Sequence, residues 1–530
     1  MTTPAHTPCT DESYAQASRR DGLCPDRDGP WVIATTVLGS SMAFIDGTVV
    51  NLALPTLQRT LGASVRDVQW VVESYALLLA ALLLVGGALG DRFGRRRMFL
   101  LGVAVFALAS MACAAAQDVT TLIWARAAQG LGGALLVPGS LAILSAAFPK
   151  DRRGRAIGFW SAFSAVSAGL GLVIGGVLID ALGWRWVFLL NVPIALATVA
   201  LALWRVPESR DPKVAPVDVW GGLFATLGFG GITFGFIEAS SRSFADAQVQ
   251  VALVVGVVFL IAFALFEKRA RAPMVPPLLF RNPVFAGANF LTLFLYAALA
   301  GCLFFVPLNL IQVQGLSATA AGAANLPFVL LLSLLSRWSG GLADRFGARR
   351  PMLIGTGLAA LGMGLFALAD AQSGYWRGFF GPILLLGTGM ALTVAPLTTT
   401  AMSAVEDRLS GVAAGVNNGV SRIGALLAIA ALGPLMVWVF AEQLGANLSR
   451  LGLAPETITR LVARAEDLAA LDTSLAPADV RVGVRQAVSG AFVAGFRTVC
   501  LTCAVLALVA SWMGLWWMGR SRAEAPEKGS

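Results

Sequence analysis

The sequence predicts an all-α polytopic membrane protein with fourteen transmembrane helices, arranged 6 + 2 + 6, and with both termini cytoplasmic. Three observations carry that reading. Of 530 residues, 57% are hydrophobic and only 13% are charged, with a mean hydropathy of +0.74; a water-soluble chain of this size keeps about a quarter of its residues charged. Window after window reaches the roughly 20 apolar residues that cross a bilayer. Finally, an eleven-residue stretch occurs twice, as "GALGDRFGRRR" from Gly87 to Arg97 and "GGLADRFGARR" from Gly340 to Arg350. Internal duplication is how many secondary carriers are built.

Taken in order, residues 1–30 form a polar tail with Arg19 and Arg20, lacking the apolar core of a cleavable signal peptide. Six spans fill 31–204, at 31–57, 69–90, 98–116, 121–147, 156–180 and 185–204. Two more, 218–239 and 248–267, lie in a linker insert, 205–283. A second six occupy 284–519, at 284–311, 320–343, 352–369, 377–403, 411–440 and 492–518, and 520–530 is a second tail. Each span ends at charged or Gly/Pro breaks. The basic loops "DRFGRRR", "KDRRGR", "RVPESRDPK" and "DRFGARR" share one side, which their Arg and Lys excess marks as cytoplasmic. On the other side, 441–490 reads as two short helices, a lid or packing element, in "APETITRLVARAEDLAAL" and "APADVRVGVRQAVSG".

Composition also excludes functions. The net charge of +9 is explained by loops on one membrane side, so no nucleic-acid partner is implied. The single histidine, His6, lies in the tail, and the six cysteines (Cys9, Cys24, Cys113, Cys302, Cys500, Cys503) are scattered. Cys500 and Cys503 read as small apolar filler in the last span. The spans hold no metal-ligand cluster, nucleophile–base pair or phosphate-binding glycine loop. The chain is therefore expected to be no enzyme and to need no cofactor.

Five motifs then point one way. "FIDGTVVNLALPTLQ" opens the first span, "GALGDRFGRRR" joins the second and third, and "WARAAQGLGGALLVPGSL" lies in the fourth. "GWRWVFLLNVP" and "GVNNGVSRIGALL" follow in the sixth and thirteenth. With them the chain, from Trp31 to Gly519, resembles the major facilitator superfamily and, within it, the fourteen-span drug:proton antiporters. That resemblance implies the major facilitator fold, alternating access and a bacterial inner (plasma) membrane location. It implies export of amphipathic, drug-like compounds in exchange for protons by a chain that is expected to be monomeric. The same scaffold would serve an endogenous metabolite, antibiotic or lipid; a membrane receptor or scaffold is the non-transport alternative. In the fourth-span motif Arg126, Gln129 and Gly130 are in register. The fifth-span motif keeps Gly171, Gly175 and Gly176 but has Leu172 where a proline is expected.

The resemblance also implies that Gly87, Asp91, Arg92, Gly94, Arg95 and Arg96, with Asp344, Arg345 and Gly347 of the second copy, form a conformational latch. It would hold the cytoplasmic ends together when the cavity opens outward. Gly94 suits the sharp reversal.

Charges within spans are expensive, so they face a cavity, pair, or bind protons. Asp46 lies roughly 15 Å inside the outer end of its span, Arg126 roughly 8 Å deep, and Glu73 about one turn in. These three form the expected proton-coupling group, because burial favours a neutral carboxyl while an arginine favours its anion. A purely structural pair of Asp46 with Arg126 is the alternative. Arg422, following Asn417 and Asn418, is too deep to reach the interface; pairing with a carboxylate, receiving an anionic substrate group and holding the halves together all stay open.

Overall fold

The computed structural model describes residues 28–148, 150–210, 217–270, 273–405 and 410–523. Tail residues His6, Cys9 and Cys24 lie outside them. Local chemistry starts the helices where the sequence signals them. Helix α1 (Gly29–Leu61) has Pro30 in its first turn. Helix α2 (Val65–Phe93) opens on a capping box, with the Ser64 hydroxyl accepting from Asp67 N while Asp67 Oδ2 accepts from Ser64 N. Helix α3 (Arg95–Ala115) follows the Gly94 turn, and Asp118 caps α4 (Val119–Ala147). Helix α5 (Lys150–Leu182) leads through a short turn, Arg185–Leu189, to α6 (Asn191–Arg205). Asp218 and Asp246 cap α7 (Val219–Arg242) and α8 (Ala247–Glu267). Asn282 and Pro283 start α9 (Pro283–Leu308), which runs on into a π-turn, Asn309–Val313. A short helix, Ala318–Ala324, precedes α10 (Leu326–Phe346). Then come α11 (Arg349–Phe366), α12 (Phe380–Ser403), α13 (Ser410–Arg450) and α14 (Arg481–Ala523).

Among the described residues, twelve helices are long and apolar enough to cross a membrane. The other two expected spans are helices with charged starts. Helix α5 opens on the charged run Lys150–Arg155, and from Ala156 to Ile179 it carries no charged residue. Helix α11 has 18 residues and starts on Arg349 and Arg350.

The duplication seen in sequence is also a duplication of packing. In the first half α1 packs on α5 and α6, α2 and α3 pack on α4, and α3 packs on α6. In the second half α9 packs on α13 and α14, α10 and α11 pack on α12, and α11 packs on α14. The correspondence holds helix for helix. Fully buried aromatics fill both bundles: Phe99, Phe106 and Phe188 in the first, Phe305, Phe366, Phe379 and Phe496 in the second.

The halves meet along two seams, α2 on α13 and α5 on α10 with its preceding short helix. The α7–α8 pair lies beside the first seam, with α7 against both α2 and α13. Alternating helix direction puts the Gly94 and Gly347 turns on one face, here the signature face, and residues 451–480 on the far face.

The far-face segment is a correction. Rather than a loop over 441–490, α13 continues to Arg450 and α14 begins at Arg481, so the second predicted short helix is the start of α14. Between them lie one α-helix, Pro455–Val462, and 3-10 turns at Ala465–Ala470 and Thr473–Leu475. Leu461 and Leu468 anchor this segment, both fully buried.

Candidate functional site: a sealed charge network beside a central space

Asp46 (α1), Arg126 and Gln129 (α4), Ser110 (α3) and Asn191 (α6) converge inside the first bundle, each at most 1% exposed. The Asp46 carboxylate pairs with Arg126 through Oδ2 and Nη1. Its Oδ1 accepts from Gln129 Nε2 at 2.8 Å and Asn191 Nδ2 at 3.5 Å. Arg126 Nη1 also donates to Gln129 Oε1 (2.6 Å) and Nε to the Val71 carbonyl (3.0 Å). Its guanidinium stands 4.3 Å from the Tyr75 ring centroid. Ser110 Oγ accepts from Gln129 Nε2 and Asn191 Nδ2, closing the network across four helices. A charge pair at this depth persists only when its remaining donors and acceptors are matched.

The pairing expected from depth is therefore present, but its setting differs from a cavity wall. At 100° per residue, Asn51 lies about 140° around α1 from Asp46. Asn51 is half-buried and Gly47, beside Asp46, is exposed. The more open face of α1, which carries Gly47 and Asn51, is thus not the face that carries Asp46, which turns into the first bundle.

Glu73 stands apart from this group. It is fully buried on α2, and neither carboxylate oxygen has a hydrogen-bond partner among the described residues. Gln69, one turn away, donates to the Ile429 carbonyl of α13 (2.7 Å), while Trp70 meets Phe234 of α7 with ring centroids 5.9 Å apart. By helical rotation Glu73 falls between these directions, at the junction of α2, α7 and α13.

Polar links between the halves gather at the far face. Asp180 accepts from Ala318 N (3.1 Å), Thr319 N (2.8 Å) and Thr319 Oγ1 (2.6 Å), and Gln312 Nε2 donates to Gln58 Oε1 (2.8 Å). Of the fifth-span glycines, Gly176 serves this closure, while Gly171 and Gly175 admit α1 within the first half. A side chain at Gly171 would meet Ile45 at 3.1 Å, one at Gly175 would meet Val49, and one at Gly176 would lie 2.6 Å from the Ala318 carbonyl oxygen. Gly130 admits the Tyr75 backbone of α2 in the same way. Leu172, where proline was expected, leaves α5 unbroken, and its carbonyl packs on Gly322.

On the signature face, Gly94 has φ 113, a value that favours glycine. Asp91 Oδ1 pairs with Arg95 Nε at 2.7 Å, Arg92 lies over the Phe93 ring, and Gly87 packs on Pro138. The turn's other ties come from a residue that sequence reasoning missed. Glu208 accepts from Arg96 N (3.0 Å) and Arg97 N (3.1 Å), setting a carboxylate at the start of α3. Arg96 Nη1 further donates to the Val206 carbonyl. These ties join the turn to the start of the 205–283 insert, not to the second half. In the second copy Gly347 again has positive φ (77), Asp344 and Arg345 end α10, and open space surrounds the position. Ser110 and Asn191 were also missed as site residues, although Asn191 lies in a quoted motif and is a lone amide in an apolar run.

In the second half Asn417 Nδ2 donates to Asn289 Oδ1 (3.2 Å) and Thr292 Oγ1 (2.8 Å), a buried packing role. Asn418 is exposed, and its Oδ1 accepts from Arg422 Nε at 3.1 Å. Cys302 and Cys500 are free thiols 3.9 Å apart in an apolar core with Cys503, as filler residues would be.

Comparison with known proteins decides the family. The family model described as Major Facilitator Superfamily matches residues 36–429. The chain belongs to the major facilitator superfamily. It is 33% identical over 530 residues to the tetracenomycin C resistance and export protein of Streptomyces glaucescens, covering 97% of this chain and 95% of that one. It is 34% identical over 431 residues to the multidrug resistance protein Stp of Mycobacterium tuberculosis (81% and 80%). It is 35% identical over 428 residues to the puromycin resistance protein pur8 of Streptomyces alboniger (79% and 84%). Among solved structures, a bacterial homologue of the human lysosomal transporter Spinster, inward-facing and unoccupied, has TM-score 0.65 at 18% identity (96% and 100%). The superfamily member is thus a membrane transporter rather than an enzyme, and its relatives are resistance and export proteins.

Proposed function

We propose that this major facilitator protein exports drug-like compounds across the bacterial inner membrane in exchange for protons, all fourteen helices crossing and the signature face cytoplasmic. The observation that carries the coupling is the sealed Asp46–Arg126 pair. A proton taken up by Asp46 when the far face opens removes the partner of a buried guanidinium. Arg126 then loses its counter-charge and keeps the Val71 carbonyl, Gln129 Oε1 and the Tyr75 and Phe188 rings. The network must rearrange, and α1 carries that change to its other face, where Asn51 meets the central space. Glu73, buried at a seam between the halves without a hydrogen-bond partner among the described residues, is the second proton site. One proton entering down 100 mV supplies about 2.3 kcal/mol before any pH gradient is added.

The resistance and export relative that matches nearly the whole chain favours an antibiotic-type substrate over a lipid. The test uses respiring inverted vesicles with an entrapped pH dye, to which tetracenomycin C or puromycin is added. Substrate-dependent proton release that disappears in Asp46→Asn supports the reading. Substrate uptake that continues in Asp46→Asn and with a protonophore present refutes the coupling.

A further inference from the structure

Resting on the export reading, we infer that the central space selects compounds bearing an acidic or strongly polarised oxygen, with Arg422 as the group that receives it, rather than lipophilic cations. Arg422 lies twelve residues into α13, roughly 18 Å from its start, and twenty-eight residues from its end at Arg450. Neither interface is within side-chain reach. A guanidinium at that depth is costly and keeps its charge.

The structure removes two of the three roles the sequence left open. Among the described residues no carboxylate lies within ion-pair distance of Arg422. Its hydrogen bond is to Asn418 on its own helix rather than to the other half. What remains is orientation. Asn417 and Gly424 face α9, where they meet Asn289 and the Leu293 carbonyl. Gly415 and Gly433 face α2, against Leu84 and Gln69. At 100° per residue Arg422 falls within about 20° of the Gly415 direction, at the seam with α2 and about 40° from exposed Asn418. Arg422 itself is partly exposed.

The acids at comparable depth do not offset it. Asp46 is held by Arg126, and Glu73 is fully buried. Each is at most 1% exposed. Among the described residues, the charge offered to the middle of the space is therefore positive. A planar guanidinium donates several N–H groups in a fixed fork. Carboxylates, enolates and phenolates fit that fork, with Asn418 supplying an adjacent amide. A cation placed there meets repulsion and finds no carboxylate.

Purified protein in detergent would be titrated with fluorescein and rhodamine 123, which share a tricyclic xanthene core but differ in charge, and binding read by fluorescence anisotropy. The expected result is at least tenfold tighter binding of fluorescein. That preference should disappear in Arg422→Gln and persist in part in Arg422→Lys, with both variants eluting as monodisperse protein. Equal binding, tighter binding of rhodamine 123, or a fluorescein preference unchanged in Arg422→Gln each overturn the inference. Because the titration needs no gradient and no transport, failure of vesicle export with the dye preference intact counts against the exporter reading alone.

Discussion

Replacing Asp46 by Asn changes one atom's chemistry at the centre of the sealed network and leaves its shape. Leaving one member of a buried ion pair without its partner costs about 3–5 kcal/mol. The new amide oxygen can still accept from Arg126, and a hydrogen bond to a charged group returns about 1.5–3 kcal/mol. The net loss is about 2 kcal/mol. With each half comparable to a domain of 150–250 residues, that corresponds to a fall in Tm of about 4–8 °C. Arg126→Gln should cost at least as much, because it strands the Asp46 carboxylate against Gln129 and Asn191. The double variant Asp46→Asn/Arg126→Gln places neutral amides throughout and should recover part of the loss, a coupling of roughly 1–3 kcal/mol. Tryptophan-monitored melting of the four proteins in one detergent completes the cycle. If the two losses simply add in the double variant, the pair is not the energetic unit described above.

Other outcomes follow from the same geometry. Gly176→Ala sets a methyl 2.6 Å from the Ala318 carbonyl oxygen, so oxidative cross-linking of a Gln58→Cys/Gln312→Cys pair should fall severalfold; an unchanged yield would show that the far face closes without this contact. Glu208→Ala strips the acceptor from the first turn of α3 and should cost about 1 kcal/mol, seen as a lower Tm and faster tryptic cutting among Arg95–Arg97. Burial raises the carboxyls of Glu466 and Asp467 above their ordinary range, Arg66 and Arg464 respectively opposing the rise. Groups raised on docking contribute stability that is full below the ordinary carboxylate range and is lost as pH climbs through the raised values. Trypsin should therefore cut at Arg464 faster at higher pH, relative to a peptide standard, and Asp467→Asn should flatten that dependence.

Sequence reasoning reached what is local or periodic. Ser64 with Asp67, Asp118, and Asn282 before Pro283 announce helix starts, and the structure places helices there. Depth arithmetic brought Asp46 and Arg126 to neighbouring levels even though α1, at 33 residues, overruns its assumed outer end. Rotation about the helix axis was not legible. An apolar run gives little indication of which face meets lipid, so it could not show that Asp46 turns into the first bundle while Arg422 lies on the α2 side of α13. Glu208 was invisible for another reason: its partners lie 111 and 112 residues earlier, and nothing local marks it. In the far segment, charge spacing suggested two helices, but the second continues into α14, because no break separates "VRQAVSG" from the apolar run after it.

The α7–α8 pair has a consequence for traffic with the lipid. The two bundles are nearly equivalent inside, yet among the described residues the seam between α2 and α13 has a helix laid beside it while the seam between α5 and α10 has no such cover. An amphipathic molecule dissolved in the bilayer therefore meets one walled flank and one bare flank. Lateral access from the bilayer is one-sided in a molecule whose core is two-fold: a hydrophobic compound exported as proposed would pass α5 and α10 rather than α7 and α8.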